Sequence, residues 1–186
     1  MGEKIKKEII EWIKVIILAI GLTLLITSFV RPTLVIGSSM ADTFNQYDYL
    51  ISYKRAYKKH LPEYGDVVLF QSHLPMDNGG GLFGKEKVLI KRVIGLPGDA
   101  ILIENGKVFR NGEELIEPYT KDGYTDQDMF TLVPENHVFA MGDNRLGSRD
   151  SRDPSVGPVP QEMILGKIVV RLYPFNKITT DFSEEK

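Results

Sequence analysis

Hydrophobic and polar positions divide the chain into two textures. Residues Val15 to Val30 read VIILAIGLTLLITSFV, sixteen positions without a charge. With Ile9, Ile10, Trp12 and Ile13 upstream, the stretch approaches the roughly 20 residues that cross a bilayer as a helix. Such a helix is apolar all round, unlike the one-sided helix of a soluble core. Lys14 can snorkel and Trp12 suits the headgroup region. A cleaved signal peptide is the other reading, with Val35-Ile36-Gly37 as a small-residue cleavage site, but its apolar core is usually 7–15 residues. Pro32 marks a helix boundary.

Beyond it, short β-branched runs alternate with turn residues. The expected strands are 33–37, 48–54, 66–71, 87–94, 99–105, 137–142 and 164–173. Asn105-Gly106 and Asn111-Gly112 are hairpin signals and predict a meander through DAILIENGKVFRNGEEL. Residues 72–86, with Gly79-Gly80-Gly81 and Gly84, read as a mobile loop, and 143–160 as a long irregular one. Long loops inside compact domains are more often functional than filler. The fold expected is mainly β: one N-terminal transmembrane helix, then an antiparallel β catalytic core with a small β cap. Residues 1–8 form a cytoplasmic N-terminus, 9–30 the anchor and 31–186 an extracytoplasmic domain, with 102–135 inserted as the cap. Little helix is expected outside the membrane.

Charge adds direction. Lys4, Lys6, Lys7 and Lys14 lie on the N-terminal side and Arg31 alone follows closely on the other, which places the N-terminus in the cytoplasm. The formal net charge of -2 gives no general affinity for nucleic acid. With no cysteine, disulfides, thiolate metal sites and cysteine nucleophiles are excluded together. His60, His73 and His137 are scattered and none pairs at metal-ligand spacing, so neither a metal nor another cofactor is expected. The sequence has no HExxH and no GxSxG.

Two polar residues stand where strands place them. Ser39 follows an apolar strand just after the span; a serine there is ordinarily a turn residue. Lys91 lies in KVLIKRVIG, where it and Arg92 point to opposite faces. Either one of the two enters a semi-buried environment or both reach solvent at a sheet edge. A desolvated lysine loses its proton readily and can act as a general base.

The order of segments resembles the type I signal peptidase family, in its short Gram-positive-like bacterial form. The resemblance rests on the span, Ser39-Met40, Gly65-Asp66-Val67-Val68, the run Lys91 to Asp99, Gly142-Asp143-Asn144-Arg145 and Ser148-Arg149-Asp150-Ser151-Arg152. It implies a membrane-anchored serine endopeptidase with Ser39 as nucleophile and Lys91 as general base. Ser148 resembles the hydroxyl that orients the lysine. Asp143, Arg145, Asp150 and Arg152 resemble the bracing framework, the Ser39 amide an oxyanion donor, and Val35, Phe44 and Ile90 the walls of pockets for small residues at -1 and -3. The implied partners are exported precursors with signal peptides, and the lipid bilayer. A member that binds precursors without cutting them is the alternative reading.

The chain departs from the family in three places. Met40-Ala41-Asp42-Thr43 replaces Met-x-Pro-Thr, Tyr47-Asp48 replaces Gly-Asp, and Gly37 stands where some members carry a hydroxyl that completes the oxyanion hole. The first two alter the loop that presents the nucleophile, in keeping with a narrow substrate set such as pilin-like surface proteins.

Overall fold

The computed structural model describes residues 2–41, 43–75, 86–120 and 123–183. One helix, α1 (Gly2–Phe29), contains none of its residues in the protein interior. At 1.5 Å per residue its 28 residues extend roughly 42 Å, and it is long and apolar enough to cross a membrane. It begins earlier than the expected span and ends one residue sooner. Val30 already opens the first strand, β1 (Val30–Leu34), where the sequence predicted a strand at 33–37. Pro32 therefore sits inside a strand rather than at the helix boundary. It is tolerated because β1 is an edge strand, where a missing N–H breaks no ladder.

The helix is fastened to the sheet by Lys54 and Arg55. The Lys54 amide donates to Phe29 O at 2.8 Å and its Nζ to Thr27 O at 2.7 Å. A cation thus meets the carbonyls that a helix C-terminus leaves without partners. Arg55 stacks over the Phe29 ring at 4.4 Å.

The remaining strands are β2 (Tyr49–Tyr53), β3 (Val67–Pro75), β4 (Glu86–Gly95), β5 (Ala100–Glu104), β6 (Lys107–Arg110), β7 (Glu113–Glu114), β8 (Met129–Leu132), β9 (His137–Met141), β10 (Val159–Pro160) and β11 (Ile164–Tyr173). Seven form one sheet in the order β1-β2-β11-β3-β4-β9-β10 and four form a smaller one, β7-β6-β5-β8. All described pairings between strands are antiparallel. The fold is mainly β, as the alternating runs predict. Outside α1 the described helical segments are three 3-10 turns, Arg145–Gly147, Gln161–Met163 and Phe175–Lys177.

Both hairpin signals turn where expected. Asn105 and Gly106 have φ of 53° and 81°, Asn111 and Gly112 of 55° and 86°, the paired positive values of a type I′ turn. The expected loop at 72–86 is shorter than predicted, since β3 runs on to Pro75 and β4 starts at Glu86; its glycines lie outside the described residues. The loop expected over 143–160 is interrupted by the turn at Arg145–Gly147 and ends in β10, which pairs with β9.

Three apolar clusters hold the body together. Val68, Phe70, Leu89, Val93, Val138 and Ala140 pack on one face of the large sheet. Val35, Met40, Phe44, Leu50, Leu69 and Ile168 form a second cluster. In the third, Ile101 and Ile103 of the small sheet meet Ile94, Phe139 and Met141 of the large one.

Candidate active site

Strand β4 carries Lys91 and the turn after β1 carries Ser39. β4 lies inside the large sheet between β3 and β9, so residues on it are shielded from both sides. Lys91 pairs with Val68 across the ladder and is only 1% exposed. Its Nζ donates to Ser39 Oγ at 2.6 Å. Burial pushes the lysine pKa down to about 8, against the charges of Asp150 and Asp143, which pull it upward. Ser39 itself remains half-exposed.

Arg92, on the opposite face of β4, is buried as deeply, at 2%. The expectation that one of the pair would enter the interior was too cautious, because Arg92 finds an internal carboxylate. Its Nε donates to Asp143 Oδ1 at 2.9 Å and its Nη2 to Asp143 Oδ2 at 2.7 Å, the bidentate geometry that best satisfies a buried pair. The guanidinium also lies 3.9 Å over the Tyr119 ring. Thr43 Oγ1 donates to Asp143 Oδ2 at 2.6 Å, which ties the loop after Ser39 to the same carboxylate.

The framework residues assemble around Asp150. Arg152 Nε donates to its Oδ1 at 2.9 Å and the Gly142 amide to its Oδ2 at 2.8 Å. Burial alone would raise the Asp150 pKa; hydrogen bonds from Arg152 and that guanidinium's charge outweigh it and hold the carboxyl below its ordinary value. Arg145 Nε donates to Gly142 O at 3.1 Å, and its fork grips Glu117 and Thr125. Arg152 reaches on to Asp126 Oδ1 at 2.6 Å and to Arg145 O at 2.7 Å.

Ser148, expected to orient the lysine, lies against Gly142 and Asp150. Its Oγ is buried and has no hydrogen-bond partner, so it makes no bond to Lys91. The hydroxyl lies beside the Asp150 carboxyl and helps to hold its pKa down. A Cβ on Gly142 would collide with Ser148 Oγ and with the Ser39 carbonyl, so Ser39 and Ser148 converge on one glycine.

Val35, Phe44 and Ile90 also come together, in the second cluster. Phe44 is wholly buried and Val35 5% exposed, with the C-terminal Phe182 packed against them. Gly37 has a φ of +105°, a region that a side chain with a Cβ rarely adopts. A hydroxyl-bearing residue would be strained there, which accounts for the glycine. Asp42 lies outside the described residues.

Several residues at the site had no role assigned from sequence. Asn144 donates from its amide to Ser39 O at 3.2 Å and from Nδ2 to Ser38 O at 3.0 Å. Its place within Gly-Asp-Asn-Arg was a usable signal. Arg92, next to Lys91 in an apolar run, was another. Glu117, Tyr119 and Asp126 lie in the segment between β7 and β8 and carried no signal, because only tertiary folding brings them to the arginines. Among the described residues no group of three or more His, Asp or Glu side chains is arranged to hold a metal ion. A buried amine with a lowered pKa, bonded to a half-exposed hydroxyl, is an arrangement suited to nucleophilic catalysis.

Comparison with known proteins agrees. The family model described as signal peptidase, peptidase S26, matches residues 9–173. The chain is 34% identical to "Signal peptidase I S" of Bacillus subtilis (strain 168), over 93% of this chain and 94% of the relative. It is 35% identical to "Probable signal peptidase I-1" of Synechocystis, over 90% of this chain and 84% of that one. A solved signal peptidase I from Enterococcus faecalis V583 aligns at 28% identity with a TM-score of 0.44, covering 57% of this chain and 96% of its own. The chain therefore belongs to the signal peptidase family, peptidase S26.

Proposed function

We propose that the protein is a membrane-anchored serine endopeptidase that removes signal peptides from exported precursors with a Ser39–Lys91 dyad. The observation that carries the reading is the 2.6 Å bond between Lys91 Nζ and Ser39 Oγ, with the lysine buried and its pKa lowered to about 8. In the neutral state the amine lone pair accepts the Ser39 proton as Oγ attacks the scissile carbonyl carbon. The Ser39 amide faces the oxyanion. The resulting ammonium returns its proton to the leaving amine as the C–N bond breaks, leaving an acyl-enzyme. Water then attacks the ester, Lys91 takes a proton from it, and Ser39 is released with that proton. Asp143 and Asp150, each held by an arginine, fix the strand end at Gly142 against which Ser39 rests.

Residues 1–8 lie on the cytoplasmic side, 9–30 cross the bilayer, and 31–186 form the outer peptidase domain, with 102–135 as its cap. Small residues at -1 and -3 of the precursor lie against Val35, Phe44 and Ile90, where bulky or charged side chains meet a clash or an unpaired desolvation. The departures around Ser39 support a restricted substrate set, such as pilin-like surface proteins.

The test is incubation of the purified full-length protein with a panel of exported precursors, followed by mass determination of the new N-terminus. Cleavage after a small residue is expected, and none from Ser39→Ala or Lys91→Ala. Precursor binding without cleavage by the unmodified protein would instead identify a non-cleaving assembly factor, and efficient cleavage after tryptophan or lysine would overturn the pocket assignment.

A further inference from the structure

The residues after the last long strand fold back onto the loop that carries Ser39. Thr43 and Phe44 anchor that loop: the Phe44 amide donates to Met40 O at 2.7 Å, closing the turn behind the serine. Three groups grip this anchor. Asp143 accepts the Thr43 hydroxyl. Arg171, at the end of β11, donates from Nη1 to Thr43 O at 2.7 Å. Phe182 meets the Phe44 ring edge-on, with centroids 4.9 Å apart, and its carbonyl accepts from Arg92 Nη2 at 2.7 Å.

The intervening residues are held as well. Arg171 and Thr179 exchange two backbone hydrogen bonds, 2.9 and 3.3 Å, and Arg171 Nε donates to Lys177 O at 2.7 Å. Arg171, buried at 6%, thus binds the nucleophile loop with one arm and the returning chain with another. Phe182 closes a cluster in which Phe44 is wholly buried. Its carbonyl engages the same Arg92 nitrogen that holds Asp143 Oδ2.

We propose that Arg171 to Phe182 is a strap that holds the Ser39 loop in register with Lys91, with Arg171 and Phe182 as positioning residues. The inference rests on Ser39 being the nucleophile. Loosening the strap lets Thr43 and Phe44 shift, and a displacement of about 1 Å at the reacting oxygen costs up to roughly a hundredfold in rate. Phe44 also walls the proposed pocket, so KM rises too; the loss that marks mispositioning of Ser39 is the one in kcat. As Ser39 Oγ moves off Lys91 Nζ, solvent reaches the amine from the half-exposed serine side, which relieves its desolvation and raises the apparent pKa of the rate.

The test uses the full-length protein in detergent, with Phe182→Ala, Phe182→Leu, Arg171→Lys and a chain ending at Thr180. Each is assayed on a signal-peptide substrate across pH and for the burst of p-nitrophenolate from p-nitrophenyl acetate, with Ser39→Ala as the blank. Phe182→Ala and the shortened chain should lose roughly tenfold or more in kcat, beyond any rise in KM, with the apparent pKa raised. Phe182→Leu, which keeps an apolar side chain on Phe44, should recover most of the rate. Wild-type kcat in the Ala and shortened chains would overturn the proposal; so would a faster rate, which would make the segment a removable plug. If neither folds, Arg171→Lys decides: it keeps the charge but loses the fork to Thr43 and Lys177, and an unchanged kcat there would sink the strap. A wild-type burst absent from Ser39→Ala establishes the nucleophile independently, so failure of the strap is distinguishable from failure of the dyad.

Discussion

Burying an amine costs free energy that a neutral side chain of similar length does not incur, and Lys91 carries that cost. Below pH 8 the ammonium is present in both the folded and the unfolded chain, and only the folded chain pays for desolvation. Between the folded value of about 8 and the ordinary 10.5, the unfolded chain binds more protons, so stability rises with pH. Above 10.5 both forms are neutral and the penalty is gone. Lys91→Met should therefore be inactive yet more stable than the parent at pH 7, by up to about 3 kcal/mol for a shift of this size. Unfolding midpoints should show that advantage shrinking from pH 8 to 10.5; a constant difference would mean that the lysine does not titrate there. The parent's cleavage rate should rise with pH to half its plateau at about 8, and a rate flat from pH 6 to 10 would exclude a lysine base. Tyr47 is a different kind of strain. It has a φ of 71° and is largely exposed, so it occupies left-handed backbone with little packing in return. Tyr47→Gly removes a conformational cost of roughly 1–2 kcal/mol and adds up to about 1 kcal/mol of unfolded-state entropy. A net gain of up to about 1 kcal/mol is expected, read as a higher melting temperature. The sequence comparison suggested an effect on substrate choice alone; the backbone angle adds one on stability.

At the scale of elements, short β-branched runs between turn residues located the longer strands of the large sheet, whereas β10, inside the expected loop 143–160, was missed. The runs could not place the strand ends. β1 starts at Val30 because the helix hands the chain directly to an edge strand, and β3 continues through Ser72 and Leu74, whose burial on alternate positions is diluted by Gln71 and His73. The Lys91–Ser39 contact had a signal in the sequence because Lys91 is a charge in an apolar run and Ser39 sits in a family motif. The clamp behind it was not. Glu117, Tyr119 and Asp126 belong to the segment between β7 and β8, yet they contact Arg145, Arg92 and Arg152 respectively. Such pairings depend on how two sheets pack, and no local pattern records that. They make the small sheet's loop a support for the site. Glu117→Gln would leave the Arg145 guanidinium buried beside a neutral amide, and breaking a buried pair costs roughly 3–5 kcal/mol. A melting temperature lowered by several degrees is expected, together with a lower rate; unchanged stability would show the clamp to be idle. Gly142→Ala should be worse for activity than for folding, because the added Cβ drives Ser39 and Ser148 apart. Detectable wild-type cleavage in that variant would mean that the two serines need not converge.

For the molecule as a whole, the question is where the site stands relative to the bilayer. Ser39 lies ten residue steps beyond Phe29, the last of α1, and fully extended these reach only about 33–36 Å. Five of them are locked in β1 against β2, and Lys54 ties the helix end to the chain beyond β2. The helix and the dyad are therefore held at a nearly fixed separation. The large sheet also leaves large apolar side chains exposed. Leu34 pairs with Tyr49 and Tyr49 with Tyr173, so three neighbouring strands present a row of large side chains, each 40–50% exposed. Ile36 at 81% and Phe175 at 79% extend it, and aromatic side chains of this kind settle at the membrane interface. A precursor whose signal sequence is embedded in the same bilayer would then present its scissile bond by lateral diffusion at the depth of Ser39. Removing residues 2–29 should leave cleavage of a short soluble peptide within a few-fold of the parent, because the dyad and its arginine framework lie wholly outside the helix. Cleavage of a precursor reconstituted in liposomes should fall much further, since the truncated enzyme must find the surface from solution. Ile36→Ser with Phe175→Ser in the full-length chain should reproduce part of that selective loss while the helix remains. Equal efficiency of parent and truncated enzyme on both substrates would mean that the site works in open solution and that the apolar row serves another purpose.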